Sequence, residues 1–307
     1  MNISSRNLYF VLYSLLLFAV MAGPIRAVIR YAMDTDNTHA SQIVLIPFIS
    51  AGLIYLNHKK IFSNVKYAVL PALAPIIAGV ALFILGKTIG VQLQYEGDQL
   101  AFLAGALVVL WVGGFLLFYG TAAFKAALFP LLFLVFCIPI PNFILVRTIA
   151  TLQLWSANMS YVLIRLSGTA VLRHGMIFEM PGLTIEVAPQ CSGIRSGISI
   201  LISSLLAGHL FLRAMWRRGM LVLIAVPILI FKNALRIGTL SYLAIHLDKR
   251  ILTSHLHTEG GIPFFVLGLI LLYPVLALLI RSESKQLKAS ENKTAYRSVE
   301  AHEIQPS

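Results

Sequence analysis

The sequence predicts an all-α polytopic membrane protein, and three observations lead to this fold class. Of the 307 residues, 58% are hydrophobic and 12% are charged, which is roughly half the charged fraction of a soluble domain. The mean hydropathy is +0.85. The apolar residues are also gathered into runs that approach the roughly 20 residues a membrane-spanning helix needs. A water-soluble fold is therefore excluded.

The apolar runs account for about eight crossings when each run is counted once. In chain order they are residues 8–23, 43–56, 68–85, 100–119, 123–140, 191–212, 219–243 and 261–280. The first two are somewhat short for a full crossing. The first also fits a secretory signal peptide, with Arg6 before it and Ala22 and Gly23 at its end. Cleavage there would leave the orientation of the later spans unchanged.

Charge predicts the orientation of these spans, because Lys and Arg concentrate in cytoplasmic loops. With the N-terminus inside, the cytoplasmic side receives an excess of basic residues, namely Arg6, Lys59, Lys60, Lys66, Lys125, Arg213, Arg217, Arg218, Arg281, Lys285, Lys288, Lys293 and Arg297. Arg26 and Arg30 fall on the outer side and go against the rule. The net charge of +12 thus reflects insertion into the cytoplasmic membrane, and we discount nucleic acid as a partner.

These assignments divide the chain into two parts. Residues 1–281 form the transmembrane domain, and residues 282–307 are polar enough to predict a disordered cytoplasmic tail. On the outer side, Asn142 to Leu166 predicts an interfacial or re-entrant helix rather than a ninth span, because polar residues interrupt it. Met176 to Glu186 alternates apolar and polar residues around Pro181-Gly182, which predicts a short extracytoplasmic hairpin before Cys191.

The run from residue 187 to 212 begins VAPQCSGIRS and places Cys191 at the expected start of a membrane helix. A helix start carries unpaired N–H groups and partial positive charge, which lower the pKa of a nearby thiol. Arg195, four residues on, would add a positive charge on the same face. The alternative is tight packing of small residues at a helix interface. Cys137 lies in an apolar run and is interpreted as a buried structural thiol.

The seventh run contains Lys232, Asn233 and Arg236, and ionisable residues inside a membrane segment are candidates for function. At 1.5 Å per residue, Arg236 lies roughly 25 Å across a core about 30 Å thick, level with Cys191 near the outer face. Asn233 shares its side of the helix. The alternative for Lys232 and Arg236 is snorkelling of the charged ends toward the interface.

The last outer loop supplies His246, His255 and His257. Histidine is suited to take a thiol proton near neutral pH and to return it to a leaving amine. Each one alone is compatible with a solvated loop histidine. A metal site from His255, His257 and Glu259 is a weak alternative, and we expect neither a metal nor a cofactor.

Three short motifs lie in this order and, by the predicted topology, on one side of the membrane. They are VAPQCSGIRS with Cys191, the N-x-x-R pattern of Asn233 to Arg236, and the H-x-x-x-G pattern of His257 to Gly261. Together they resemble the exosortase and archaeosortase membrane proteins, which process and sort proteins at the outer face of the cytoplasmic membrane. The resemblance covers roughly residues 100–280, including the CIPIPN stretch, whereas residues 1–99 match only in hydrophobicity.

The resemblance implies a cysteine protease or transpeptidase with Cys191 as the nucleophile. His257 would be the general base and then acid, and Arg236 would stabilise the oxyanion or position the substrate. Supporting candidates are Arg195, Asn233 and Ser192. The implied substrates are exported proteins with a C-terminal sorting signal of the PEP-CTERM kind, which combines a short motif, a transmembrane helix and a basic end. Water, a lipid or another amine would accept the new C-terminus.

Two other functional classes compete with this interpretation. Intramembrane cations such as Lys232 and Arg236 could line the anion path of a transporter. The arginines could instead bind phosphate in a membrane enzyme that acts on a lipid-linked sugar or phosphate. Neither alternative needs a cysteine nucleophile.

Overall fold

The computed structural model describes the backbone of residues 3–34, 37–88, 92–246 and 261–303, which is predominantly helical. Within these residues, six helices are long and apolar enough to cross a membrane, or up to eight if each of two bent helix pairs is one span. The predicted all-α polytopic fold is thus confirmed. The chain forms two compact units, Met1–Arg147 and Thr148–Ser307.

The first unit is built from helices of very different length. They are α1 (Ile3–Val20), α2 (Ala22–Met33), α3 (Ile46–Leu56), α4 (His58–Ile61), α5 (Val69–Thr88), α6 (Glu96–Ala126) and α7 (Leu128–Phe133), with 3-10 turns at Thr38–Val44 and Leu134–Cys137. α1 and α2 are bent by 70° at Met21 and form one of the two bent pairs. α5 packs along α6, which is the central helix of this unit.

α6 is kinked at Gly120, where φ is +85°. The extended chain before α5 runs beside the kink, because Ala68 N–H donates to Leu117 O over 3.1 Å. A Cβ at position 120 would lie 2.2 Å from Lys66 O, so the site requires glycine. The span predicted at residues 123–140 is also not one helix. It is divided among the end of α6, α7 and the 3-10 turn that ends at Cys137.

The second unit begins in α8 and ends in the last helix. Its elements are α8 (Asn142–Leu166), β1 (Leu172–His174), β2 (Ile177–Met180), β3 (Leu183–Glu186), a 3-10 turn (Pro189–Ser192), α9 (Ile194–Phe211), α10 (Met215–His246) and α11 (Gly261–Glu303). The bounds predicted for α8 and the hairpin of β2 and β3 are confirmed. β1 was not predicted, and it pairs antiparallel with β2 to complete a three-stranded sheet.

The small sheet is anchored on α8 and α10 by its buried face. Phe178 and Met180 of β2 pack in one apolar cluster with Ala157 of α8 and Ile237 of α10. Alternation along β2 explains this, because successive strand residues point to opposite faces and only Phe178 and Met180 are buried in β2. The anchored sheet fixes the chain that leads from β3 to Cys191.

α11 continues past residue 282, where the sequence predicted a disordered tail to begin. Glu283, on this continuation, pairs with buried Arg217 over 3.1 Å. Its carboxylate also accepts the N–H groups of Arg213 and Ala214 over 3.0 and 2.8 Å. A carboxylate is favourable there because these N–H groups lie at the start of α10. This contact extends the packed part of the second unit beyond the predicted boundary.

Candidate functional site

Cys191 lies in the 3-10 turn Pro189–Ser192, which directly precedes α9. Its N–H donates to Ala188 O over 2.8 Å. The next residue but one, Gly193, has φ +74°, and α9 begins only at Ile194. Cys191 therefore precedes the membrane helix and does not open it. The expected shared helical face with Arg195 is wrong for the same reason, and the Arg195 side chain is exposed.

Gly193 allows the turn and α9 to meet against α10. Its left-handed backbone conformation disfavours residues with a Cβ. A Cβ there would also lie 2.7 Å from both Cγ and Oδ1 of Asn233. The glycine in the Cys-Ser-Gly sequence thus permits a positive φ and a close approach to Asn233 at once.

Asn233 connects α10 to the cysteine turn. Its side chain is fully buried. Nδ2 donates to Cys191 O over 2.8 Å and to Ser156 Oγ of α8 over 3.0 Å. Oδ1 is buried without a hydrogen-bond partner among the residues that the structure describes. The two bonds fix the position of the cysteine backbone relative to α8 and α10.

α8 contributes polar residues that the sequence reasoning did not select. Gln153 Nε2 donates to Val187 O, just before the turn. Ser160 Oγ is buried and lies 3.3 Å from Ala234 O of α10. Gln153, Ser156 and Ser160 are spaced three and four residues apart, which places them on one face of α8. That spacing was the available signal.

Lys232 lies inside the second unit. Its side chain is 1% exposed, and Nζ donates to Ser196 Oγ of α9. Ser196 Oγ also lies 3.2 Å from Gly193 O. A Cβ at Gly268 of α11 would lie 3.8 Å from Lys232 Cγ. The snorkelling alternative for Lys232 is therefore wrong, because packed side chains enclose its ammonium group.

Two opposing effects act on the Cys191 thiol, which is partly buried. Burial raises its pKa above the ordinary value, while the positive charge of Arg236 and a backbone hydrogen bond at Ala188 lower it. Burial is the largest effect, so the expected net lowering of the thiol pKa is wrong. Arg236, and not Arg195, supplies the positive charge that acts on the thiol.

The structure accordingly brings Cys191, Ser192 and Asn233 together, with Arg236 close enough to act on the thiol electrostatically. Ser192 is fully buried beside the cysteine. His246 ends α10, is exposed and stacks on Tyr242. The other outer-loop candidates, His255, His257 and Glu259, lie outside the described residues.

Comparison with known proteins places the chain in a family. A family model described as transmembrane exosortase (Exosortase_EpsH) matches residues 34–274. The chain belongs to the transmembrane exosortase family. The match begins well before residue 100, so exosortase similarity also includes most of the region expected to match only in hydrophobicity. Exosortase membership identifies a membrane protein-sorting transpeptidase in general, with exported proteins as substrates. No curated protein and no solved structure gives a significant match.

Proposed function

We propose that this exosortase removes C-terminal sorting signals from exported proteins, with Cys191 as its nucleophile. The observation that carries the proposal is the restraint of the cysteine turn: Asn233 binds the Cys191 carbonyl, and Arg236 acts on the thiol. A nucleophile needs a fixed position and an activated form. The contact with Asn233 supports the first requirement, and the charge of Arg236, which lowers the thiol pKa against the effect of burial, supports the second.

In the proposed reaction, Cys191 Sγ attacks the carbonyl carbon of the scissile peptide and loses its proton to His257. The tetrahedral oxyanion is stabilised by Arg236, or Arg236 positions the substrate. The C–N bond then breaks, His257 returns the proton to the leaving amine, and a thioester remains. Water or an amine resolves the thioester. Burial raises the thiol pKa, so a general base would assist its deprotonation, which supports the role that the family resemblance implies for His257.

The proposed substrate follows from the position of the nucleophile in the turn just before a membrane helix. A bond near a transmembrane anchor can reach such a thiol more readily than a bond in a soluble peptide. The substrate would carry a short motif, one transmembrane helix and a basic end that keeps its C-terminus in the cytoplasm. This is the tripartite signal of the PEP-CTERM kind, and a lipid or another amine is the proposed acceptor beside water.

The test compares surface proteins from cells that carry the wild type, Cys191→Ser or Cys137→Ser. We expect Cys191→Ser to accumulate in the membrane while its substrates keep their C-terminal helix, as measured by mass spectrometry of their C-termini. Cys137→Ser is the matched control and should process normally. Identical C-termini in wild-type and Cys191→Ser cells would remove the protease proposal and leave the lipid-linked and transport alternatives.

The side of the membrane is tested separately. If the active site is on the outer side of the cytoplasmic membrane, a membrane-impermeant thiol reagent should label Cys191 in intact cells in preference to Cys137. The variants Cys137→Ser and Cys191→Ser identify the labelled residue. Labelling of Cys191 only after the membrane is opened would move the chemistry to the cytoplasmic side.

The burial of Lys232 weighs against the transporter alternative. A cation that lines an anion path has to face that path. Lys232 is 1% exposed and its Nζ is directed at Ser196 Oγ. No observation at this site favours the transporter over the transpeptidase.

A further inference from the structure

Lys232 is a buried cation that has no assigned part in the proposed reaction. Its side chain is 1% exposed and belongs to α10, which is long and apolar enough to cross a membrane. A buried ammonium group in a membrane segment is costly, and an apolar side chain of similar size is often at least as stable in such a place. The presence of Lys232 therefore points to a function other than stability.

Ser196 of α9 links Lys232 to the turn that carries Cys191. Lys232 Nζ donates to Ser196 Oγ, and Ser196 Oγ donates to Gly193 O over 3.2 Å. An ammonium group can only donate, whereas a hydroxyl group has one proton and also accepts. Because the hydroxyl accepts from Lys232, its own proton is directed at Gly193 O. Lys232 thus orients the hydrogen bond that Ser196 makes.

The Gly193 carbonyl lies where the cysteine turn joins α9. Gly193 has φ +74°, and α9 begins at the next residue. Its carbonyl oxygen also accepts the N–H of Gly197 over 2.8 Å, in the first turn of α9. The peptide group between the turn and the helix is therefore held by one backbone bond and by the bond from Ser196.

Lys232 and Asn233 hold the cysteine turn from two directions. They are successive residues of α10, so their side chains point about 100° apart around the helix. Asn233 Nδ2 donates to Cys191 O over 2.8 Å. Lys232 acts through Ser196 on Gly193 O, two residues further along the chain. The turn is thus fixed at the cysteine and again where it enters α9.

We propose that Lys232 and Ser196 are positioning residues for Cys191: Lys232 orients the Ser196 hydroxyl, and Ser196 holds the Gly193 carbonyl. A nucleophile displaced by about 1 Å loses much of its rate, so this restraint has a catalytic effect. The role differs from that of Arg236, whose charge acts on the thiol itself. The inference rests on the proposed function, because it takes Cys191 as the nucleophile.

The variants are made in the full-length chain with Cys137→Ser, which leaves Cys191 as the one remaining cysteine of two. Ser196→Ala removes the hydroxyl that binds Gly193 O. Ser204→Ala is its matched control, because Ser204 also lies on α9, is fully buried and donates to a carbonyl three residues earlier, Leu201 O, over 2.8 Å. Lys232→Met keeps a long unbranched side chain and removes the ammonium group.

The first measurement is the rate at which iodoacetamide alkylates Cys191 in detergent at a fixed pH, followed by mass spectrometry. The thiol is partly buried, so a loosened turn exposes it. We expect Ser196→Ala and Lys232→Met to react about fivefold faster than the parent, the factor that one typical hydrogen bond contributes. Loss of a positive charge alone would slow the reaction, because it disfavours the thiolate.

The other variants separate position from stability. Ser204→Ala should react at the parent rate, and Ser196→Thr, which keeps a hydroxyl, should restore the slow reaction. The unfolding midpoint of Lys232→Met should not fall, because an apolar side chain replaces a buried cation. The double variant Lys232→Met/Ser196→Ala should react no faster than Ser196→Ala, because Lys232 acts through Ser196. In cells, Ser196→Ala and Lys232→Met should reduce substrate processing about tenfold, as measured on substrate C-termini.

Two results would overturn the inference in the purified protein. One is equal alkylation rates in Ser196→Ala and Ser204→Ala, and the other is additive effects in the double variant. In cells, normal processing by Ser196→Ala and Lys232→Met beside lost processing in Cys191→Ser would overturn this inference and leave the proposed function intact. Normal processing by Cys191→Ser would instead overturn the proposed function, and the alkylation rates would still decide whether Lys232 and Ser196 hold the turn.

Discussion

The two units of the molecule differ in the number of polar side chains that they bury. Among the described residues these are Arg6, His39 and Ser50 in the first unit, against nine in the second. In the first unit the central helix packs through aromatic rings, such as Phe10 against Trp111 with centres 5.5 Å apart, and Tyr13 donates a single bond to Leu110 O. In the second unit Lys232 and Asn233 lie within α10, and their bonds link α8, α9 and the cysteine turn. Polar groups at membrane depth are costly. Their concentration around Cys191 therefore supports the proposed site.

This contrast is tested most severely by Asn233→Leu, compared with Tyr13→Phe. The first change leaves Cys191 O and Ser156 Oγ without their donor, and we expect a loss of stability of about 3 kcal/mol. Misplacement of the cysteine turn should reduce substrate processing by roughly 100-fold. Tyr13→Phe removes one hydroxyl from the first unit and should cost about 1 kcal/mol, with processing unchanged.

The measurements are thermal unfolding in detergent and mass spectrometry of substrate C-termini. Equal loss of processing in both variants would show that the polar network has no special relation to Cys191. The contrast between the two units would then be one of stability alone.

A smaller effect is expected from Gly193→Ala, with Gly175→Ala as its matched control. Both glycines have positive φ, at +74° and +65°. A Cβ at 193 meets the Asn233 side chain, whereas one at 175 meets nothing within 4 Å. Backbone strain should cost each variant about 1 kcal/mol, and overpacking by the single added methyl group should cost Gly193→Ala about 1 kcal/mol more.

Unfolding midpoints in detergent and the rate of Cys191 alkylation provide the comparison. Gly193→Ala should change the alkylation rate, while Gly175→Ala should leave it unchanged. Equal unfolding midpoints and equal alkylation rates in the two variants would mean that the close approach of Gly193 to Asn233 does not constrain the turn.

The smallest expected effect concerns the charge of Arg236. Removal of this charge in Arg236→Gln should raise the pKa of the Cys191 thiol further, because the guanidinium is what lowers it against burial. At any fixed pH the thiolate fraction then falls, so the pH profile of Cys191 alkylation should move to higher pH. Arg236→Lys should restore most of the profile. Arg195 is exposed, so Arg195→Gln should leave the pH profile of alkylation unchanged. An equal shift in Arg195→Gln would show that Arg236 has no special effect on the thiol pKa.

The sequence predicted more of the local structure than of the packing. The bounds of α8 and the β2–β3 hairpin followed from the interruption and alternation of apolar residues, which are local properties. The kink at Gly120 did not, because it depends on the chain at Lys66 lying beside it. The continuation of α11 also depends on a distant contact, that of Glu283 with Arg217.

For the candidate site, too, the sequence predicted the residues better than their contacts. Cys191, Asn233 and Arg236 were selected from residue type, spacing and family resemblance, and the structure brings their segments together. The role assigned to Arg195 failed because it assumed that α9 begins at Cys191. Gly193, with its positive φ, separates the cysteine turn from the helix, so that α9 begins at Ile194 and not at Cys191.

The sequence by itself determined the fold class, because the balance of apolar and charged residues is fixed by composition and each span needs its own run of apolar residues. It also determined which residue types could carry chemistry. Only the tertiary structure decided the net effect on the thiol, the enclosure of Lys232 and the partners of Asn233. These depend on burial and on contacts between residues far apart in the chain, and local sequence does not specify the distances that determine desolvation and charge interaction.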